Sequence, residues 1–232
     1  MNMTYPISSL GELIGEPART TILISLLDGN SLPAGELARL AGISAQSASA
    51  HLSKLVDGGL LAPQNDGRHR YYKITSPEVV HALEALGAIA TLPRPTSTFR
   101  SREDNDISQA RSCYDHLAGH MAVELTRALH NLKVIRSGGT RDYKLGPKGP
   151  RWFADLGIDV LALARSRRVF ARRCLDWTER QPHLAGALGA ALFSRMLDAG
   201  WIARRGGTRA LRVTHRGARE LQTRFGLTVK PA

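Results

Sequence analysis

Residues 35–75 read GELARLAGISAQSASAHLSKLVDGGLLAPQNDGRHRYYKIT. Ala34–Ala41 carries Leu37 and Leu40 at helical spacing and stops at Gly42, a residue suited to a left-handed helix end. Ser44 then serves as N-cap for a helix from about Ala45 to Asp57, with Leu52, Leu55 and Val56 facing inward. Gly58-Gly59 terminates it. Leu60–Pro63 and Arg68–Thr75 read as strands around the turn Gln64-Asn65-Asp66-Gly67, where Asp-Gly is a strong hairpin signal. Tyr72 and Ile74 face one side of the second strand, and Tyr71 and Lys73 the other. Two helices joined by a short turn and followed by a hairpin make a winged helix-turn-helix.

The flanks agree. Ile7–Ile14 is a short apolar-rich segment. Glu16-Pro17 opens a helix in which Ile22, Leu23, Leu26 and Leu27 fall at helical spacing, and Asp28-Gly29-Asn30 stops it. Ser76-Pro77-Glu78 starts a last helix, through Val80, Leu83, Leu86 and Ile89 to Thr91. Residues 94–108, RPTSTFRSREDNDIS, are polar and without apolar period, and predict a linker. The expected domains are therefore 1–93 and 109–232. The fold class is mainly α with small β-hairpins, an α+β chain.

At 232 residues, with 43% hydrophobic and 22% charged, the chain has the composition of a folded protein. No apolar run approaches the roughly 18–20 residues of a membrane span. No secretion signal opens it, and two cysteines exclude a disulfide framework, so a cytoplasmic location is expected. The net charge is +12, which suits a polyanionic partner. It is unevenly placed: residues 1–93 sum to −2 and residues 94–232 to +14.

The second helix of such a pair fits the major groove, and small polar side chains on it reach base edges. The outward residues here are Ser44, Gln46, Ser47, Ser49, His51 and Lys54. Gln46 can pair with adenine at two points, the serines with bases or phosphates, and Lys54 acts as a point charge. Arg68, His69 and Arg70 at the hairpin tip, with Tyr72 behind them, are placed to meet phosphates or a minor groove. Double-stranded DNA is the expected partner. Use of the winged helix for protein contacts is the alternative.

These residues resemble the ArsR/SmtB family of transcriptional regulators. The resemblance rests on Glu36-Leu37-Ala38 to Gly42-Ile43-Ser44, on Ser47 to Leu55, on Gly58-Gly59-Leu60-Leu61 and on Gly67 to Ile74. It implies a homodimer built partly on the first and last helices. It also implies a two-fold operator and a repressor that an inducer releases. The chain departs from the family's metal sites. Leu32–Leu40 holds no cysteine, and the last helix offers only His81 and Glu84. Ala45 and Ala50 stand where relatives often carry longer polar side chains, which shifts weight to the wing and to DNA shape.

The second half repeats itself. His116-Leu117-Ala118-Gly119 recurs as His183-Leu184-Ala185-Gly186, and Gly138-Gly139-Thr140-Arg141 as Gly206-Gly207-Thr208-Arg209; Gly149 matches Gly217. Met196 to Trp201 also lies over Leu55 to Leu60, and Arg212-Val213-Thr214 over Lys73-Ile74-Thr75. Two further winged-helix-like modules, a pseudo-two-fold pair spanning 113–158 and 174–227, are expected to sense a signal, dimerise or touch DNA.

Both cysteines precede a histidine of the repeat. With Cys113 opening a helix, Cys113, His116 and His120 share one face. The symmetry partner brings Cys174, Asp176 and His183 to the same axis. Cys113, His116, Cys174 and His183 then suit a divalent zinc-like metal ion. Buried core cysteines, or a thiol sensor of oxidants or electrophiles in which Arg172 and Arg173 activate Cys174, are the alternatives. Trp177 is a candidate wall for a small-molecule pocket. No phosphate loop, nucleophile elbow or zinc-hydrolase pair is present, and an enzyme is not expected. The rival reading is an architectural protein that coats DNA with all its winged modules.

Overall fold

The computed structural model describes residues 7–66, 69–90 and 102–231. They form two compact units that divide between Leu83 and Glu84, earlier than the composition change suggests.

The first unit opens with α1 (Ile7–Ile14) and α2 (Pro17–Ser25), the latter capped by the Glu16 carboxylate on the Arg19 amide. Arg19 is buried and returns its guanidinium to the Glu12 and Leu13 carbonyls, satisfying acceptors at the end of α1. A two-residue strand β1 (Leu32–Pro33) leads into α3 (Ala34–Ala41). Gly42, at φ +65°, closes α3 in the left-handed conformation that favours glycine. Ser44 caps α4 (Ala45–Asp57) through the Ser47 amide, a contact worth about 1 kcal/mol. The wing is β2 (Leu61–Asp66) and β3 (His69–Ile74), and β3 lies between β1 and β2. Strand β1 is too short to show as a pattern in the sequence. The core of this unit is Ile22, Leu23, Leu26, Leu37, Ala48, Leu52 and Leu55. Helix α5 (Pro77–Ile89) follows the wing.

The expected linker is helical in part. Arg102–Gln109 forms α6, docked through the buried Ile107, while residues 94–101 lie outside the described residues. One apolar anchor in eight residues is too little for a visible period.

The rest of the second unit is a repeat. Its first half runs β4 (Arg111–Cys113), β5 (His116–Ala118), α7 (His120–Asn131), β6 (Ile135–Ser137), β7 (Tyr143–Leu145), α8 (Gly149–Ala154) and α9 (Val160–Arg165). Its second half runs β8 (Arg172–Leu175), β9 (Pro182–Ala185), α10 (Gly186–Asp198), β10 (Ile202–Arg204), β11 (Leu211–Val213) and α11 (His215–Phe225). Each half is hairpin, helix, hairpin, helix, with α9 as an addition to the first, and the halves trade hydrogen bonds reciprocally. Ser112 N donates to Arg209 O and Leu211 N to Ala110 O; Arg173 N donates to Arg141 O and Tyr143 N to Ala171 O. Gly119 and Gly186 occupy matching left-handed turns, where a Cβ would meet the Ser108 and Val169 carbonyls at 2.8 and 2.6 Å.

The echo of the winged helix covers only its later part. Thr214 bonds the Gly200 and Trp201 carbonyls as Thr75 bonds those of Gly59 and Leu60. In front of the long helix, however, each half has a β-hairpin where the first unit has α3. Helices α7 and α10 are also core elements, burying Met121, Leu125, Leu129, Leu188, Leu192, Phe193 and Met196. They are not presented as groove-reading helices. No helix among the described residues is long and apolar enough to cross a membrane.

Candidate nucleic-acid interface and a buried cysteine–histidine cluster

Helix α4 has two faces. Ala48, Leu52 and Leu55 are sealed inside, and Ser44, Gln46, Ser47, Ser49, Ser53 and Lys54 are exposed. Ser53, absent from the sequence expectation, shares the stripe of Gln46 and Ser49 at helical spacing and hydrogen-bonds Asp57. His51 departs from the expectation. Its Nδ1 lies 3.4 Å from the Arg19 guanidinium and 3.5 Å from the Glu16 carboxylate, so the ring braces α4 against α2. Tyr72 is a second correction. It is only 8% exposed, paired in register with Leu32 and Pro63, and covered by the Arg70 guanidinium. Alternation on a half-buried strand turns its ring inward. Arg70 is exposed on β3, which also carries His69; Arg68 lies outside the described residues.

In the second unit, Cys113, His116, Cys174 and His183 come together, with their four donor atoms all within 4.8 Å of one another. The route differs from the expected helix: Cys113 lies on a strand. In hairpin β4–β5 it pairs with His116, and in β8–β9 Cys174 pairs with His183, so each hairpin contributes one cross-strand Cys–His pair. His120 stays outside, exposed at the start of α7 against Glu179. The ring nitrogens are ordered. His116 Nε2 and His183 Nε2 face each other at 3.1 Å. Their Nδ1 atoms turn to carboxylates, His116 to Asp115 at 3.3 Å and His183 to Asp176 at 3.5 Å.

The two thiols form a coupled pair. The Cys174 sulfur, then burial, pushes the Cys113 thiol up to about 12. The same contact lowers Cys174, with a smaller pull from Arg172. Burial works against a charged His116, but the Cys113 sulfur and Asp115 outweigh it and hold the ring above its ordinary value.

Behind the cluster lies an ion network that sequence reasoning missed. Arg111, 1% exposed, donates to Glu84, Asp176, Thr178 and the Ile107 carbonyl. Glu84, carried on α5, also accepts from Arg209, the Trp177 indole and the Cys113 thiol. Burial opposes its charge, but Arg209 and Arg111 prevail and hold it below its ordinary value. Asp176 is driven well below the usual carboxylate range: Arg111, Thr178 and the Gly119 amide overcome its burial. Glu84 is thus taken up by this network, and Asp176 also accepts from the Thr178 and Glu179 amides in the turn after β8. Trp177 is stacked under Arg111, 5.4 Å from its guanidinium, and does not form a pocket wall on that face.

A profile of the MarR family matches residues 16–70. HTH-type transcriptional regulator YdfF of Bacillus subtilis (strain 168) is 42% identical over 215 residues, covering 93% of this chain and 95% of its own. HTH-type transcriptional regulator YgaV of Escherichia coli (strain K12) is 36% identical, covering 34% of this chain and 78% of its own. Among solved structures, NolR from Sinorhizobium fredii overlays with a TM-score of 0.34 at 31% identity, covering 38% of this chain and 86% of its own.

Proposed function

The chain belongs to the HTH-type transcriptional regulators, and from that premise we propose that it is a sequence-specific repressor of the ArsR/SmtB type, cytoplasmic, which binds a two-fold site on double-stranded DNA as a homodimer. It is a regulator and not an enzyme. An inducer reaching the second unit shifts the dimer out of its DNA-competent geometry.

The observation that carries this reading is the division of α4, whose apolar face is fully sealed while its serines, Gln46 and Lys54 stay open to solvent. The rival, a protein coating DNA with every module, loses its means, because α7 and α10 are built into the core of the second unit. The ArsR/SmtB assignment and the MarR profile rest on overlapping residues. What favours the former's dimer is exposed apolar surface on the first and last helices of the winged region: Ile7 and Leu10 on α1, Leu86 and Ile89 on α5.

Selection from randomised duplexes, followed by competition with random DNA at fixed salt, tests the function. A symmetric site preferred by about 10³-fold or more is expected, and a ratio near one would return the case to DNA coating. Ser47→Ala with Ser49→Ala should weaken the selected site by about 1–3 kcal/mol and leave random DNA nearly unchanged. Replacing Ile7 and Leu10 with glutamate should move sedimentation toward the monomer. A dimer that keeps its affinity places the interface elsewhere.

A further inference from the structure

We infer that Cys113, His116, Cys174 and His183 form a tetrahedral site for one divalent ion of the zinc class. The site is separate from the DNA reading and stands or falls without it.

The hairpins supply the donors in matched pairs, two sulfurs and two imidazoles, from four short strands of a single packed unit. A tetrahedral zinc ion with bonds of about 2.0–2.1 Å to nitrogen and 2.3 Å to sulfur separates its donors by about 3.3–3.8 Å. The Nε2–Nε2 separation of 3.1 Å and the 4.8 Å outer limit bracket that range. Small side-chain rotations close the remainder.

The placement of the rings points the same way. Each Nδ1 turns outward to a carboxylate, His116 to Asp115 at 3.3 Å and His183 to Asp176 at 3.5 Å, while both Nε2 atoms turn inward and face each other at 3.1 Å beside the two sulfurs. Metal ligands commonly show this arrangement, with the outer ring nitrogen held by a carboxylate that fixes the tautomer and raises basicity. Asp176 is held in place for the task by Arg111 and by the Gly119, Thr178 and Glu179 amides. When the ion enters, both thiols release their protons to solvent. Two thiolates and two neutral imidazoles then balance its double charge. Cys174, partly exposed, is the open side of the cluster.

Reduced full-length protein, stripped with chelator under argon, is titrated with cobalt(II) and then zinc(II). One equivalent of cobalt should give thiolate charge-transfer bands and d–d bands of tetrahedral intensity, and one equivalent of zinc should abolish them. Zinc should also slow alkylation of both thiols by at least tenfold. Cys174→Ser, at the open edge, and His116→Gln should each lose the tetrahedral spectrum or weaken zinc at least 100-fold. Circular dichroism of the stripped variants checks folding. Absence of the charge-transfer bands in the wild type, alkylation rates indifferent to zinc, or an unchanged spectrum in a well-folded Cys174→Ser would each overturn the site.

Discussion

Replacing Arg111 with methionine should cost the second unit about 3–5 kcal/mol. The side chain is 1% exposed and lies between Glu84 and Asp176, themselves buried. Methionine fills much of the volume but leaves Asp176 with no guanidinium and Glu84 with only Arg209. An unpaired buried carboxylate is far costlier than a missing pair. Lysine should rescue little, because one ammonium cannot span two carboxylates, a threonine hydroxyl and a carbonyl in the planar fork that arginine offers. Urea unfolding followed by tryptophan fluorescence is a clean readout, since Trp152, Trp177 and Trp201 all belong to the second unit. The double variant Arg111→Met, Asp176→Asn should fall well short of the sum of the singles, because both remove the same interaction. A loss below about 1 kcal/mol for Arg111→Met would mean that water supports these carboxylates without it.

The second large effect reverses an ordinary rule. Glycine inside a helix is normally improved by alanine, by up to about 1 kcal/mol. Gly217, in the first turn of α11, should instead lose about 1–3 kcal/mol on becoming alanine. A Cβ there would stand 1.8 Å from the Trp201 carbonyl oxygen, which is backbone and cannot rotate away. The helix would have to lift off the hairpin it caps, taking Leu221 and Phe225 out of the core. Gly35 in α3 is the control: a Cβ there meets nothing within 4 Å, and alanine should be neutral or stabilising. Thermal melts of the two variants give the comparison, and equal behaviour would show that α11 has slack.

The first unit was legible because its signals are local. A glycine for a left-handed end, a serine cap, an Asp-Gly turn and leucines at helical spacing each act within a few residues, and the bounds of α3 and α4 follow from them. What failed there depends on tertiary context: His51 is drawn inward by Glu16 and Arg19, and Tyr72 by a third strand of two residues. In the second unit the repeat revealed the pairing of His116 with His183, and through it the four clustered side chains. It hid how they meet. Cys113 and His116 stand three apart, a spacing that a helix face and a tight hairpin both satisfy. The corresponding hairpin encloses eight residues between Cys174 and His183 rather than two, which broke the register of the comparison. Arg111 left no signal at all. A lone arginine in a basic half reads as surface until its carboxylates, 27 and 65 positions away, are brought to it.

The reciprocal hydrogen bonds between the halves carry a consequence for assembly. Each hairpin closes within its own half, but each leading hairpin finds its outer hydrogen-bond partners on the trailing hairpin of the other half. A half-length chain with this architecture would meet the same partners in a second copy of itself, each copy bringing one thiol and one imidazole to the dyad. Joining two such copies in one chain would leave one loop free to lengthen, to eight residues against two, without disturbing the shared centre.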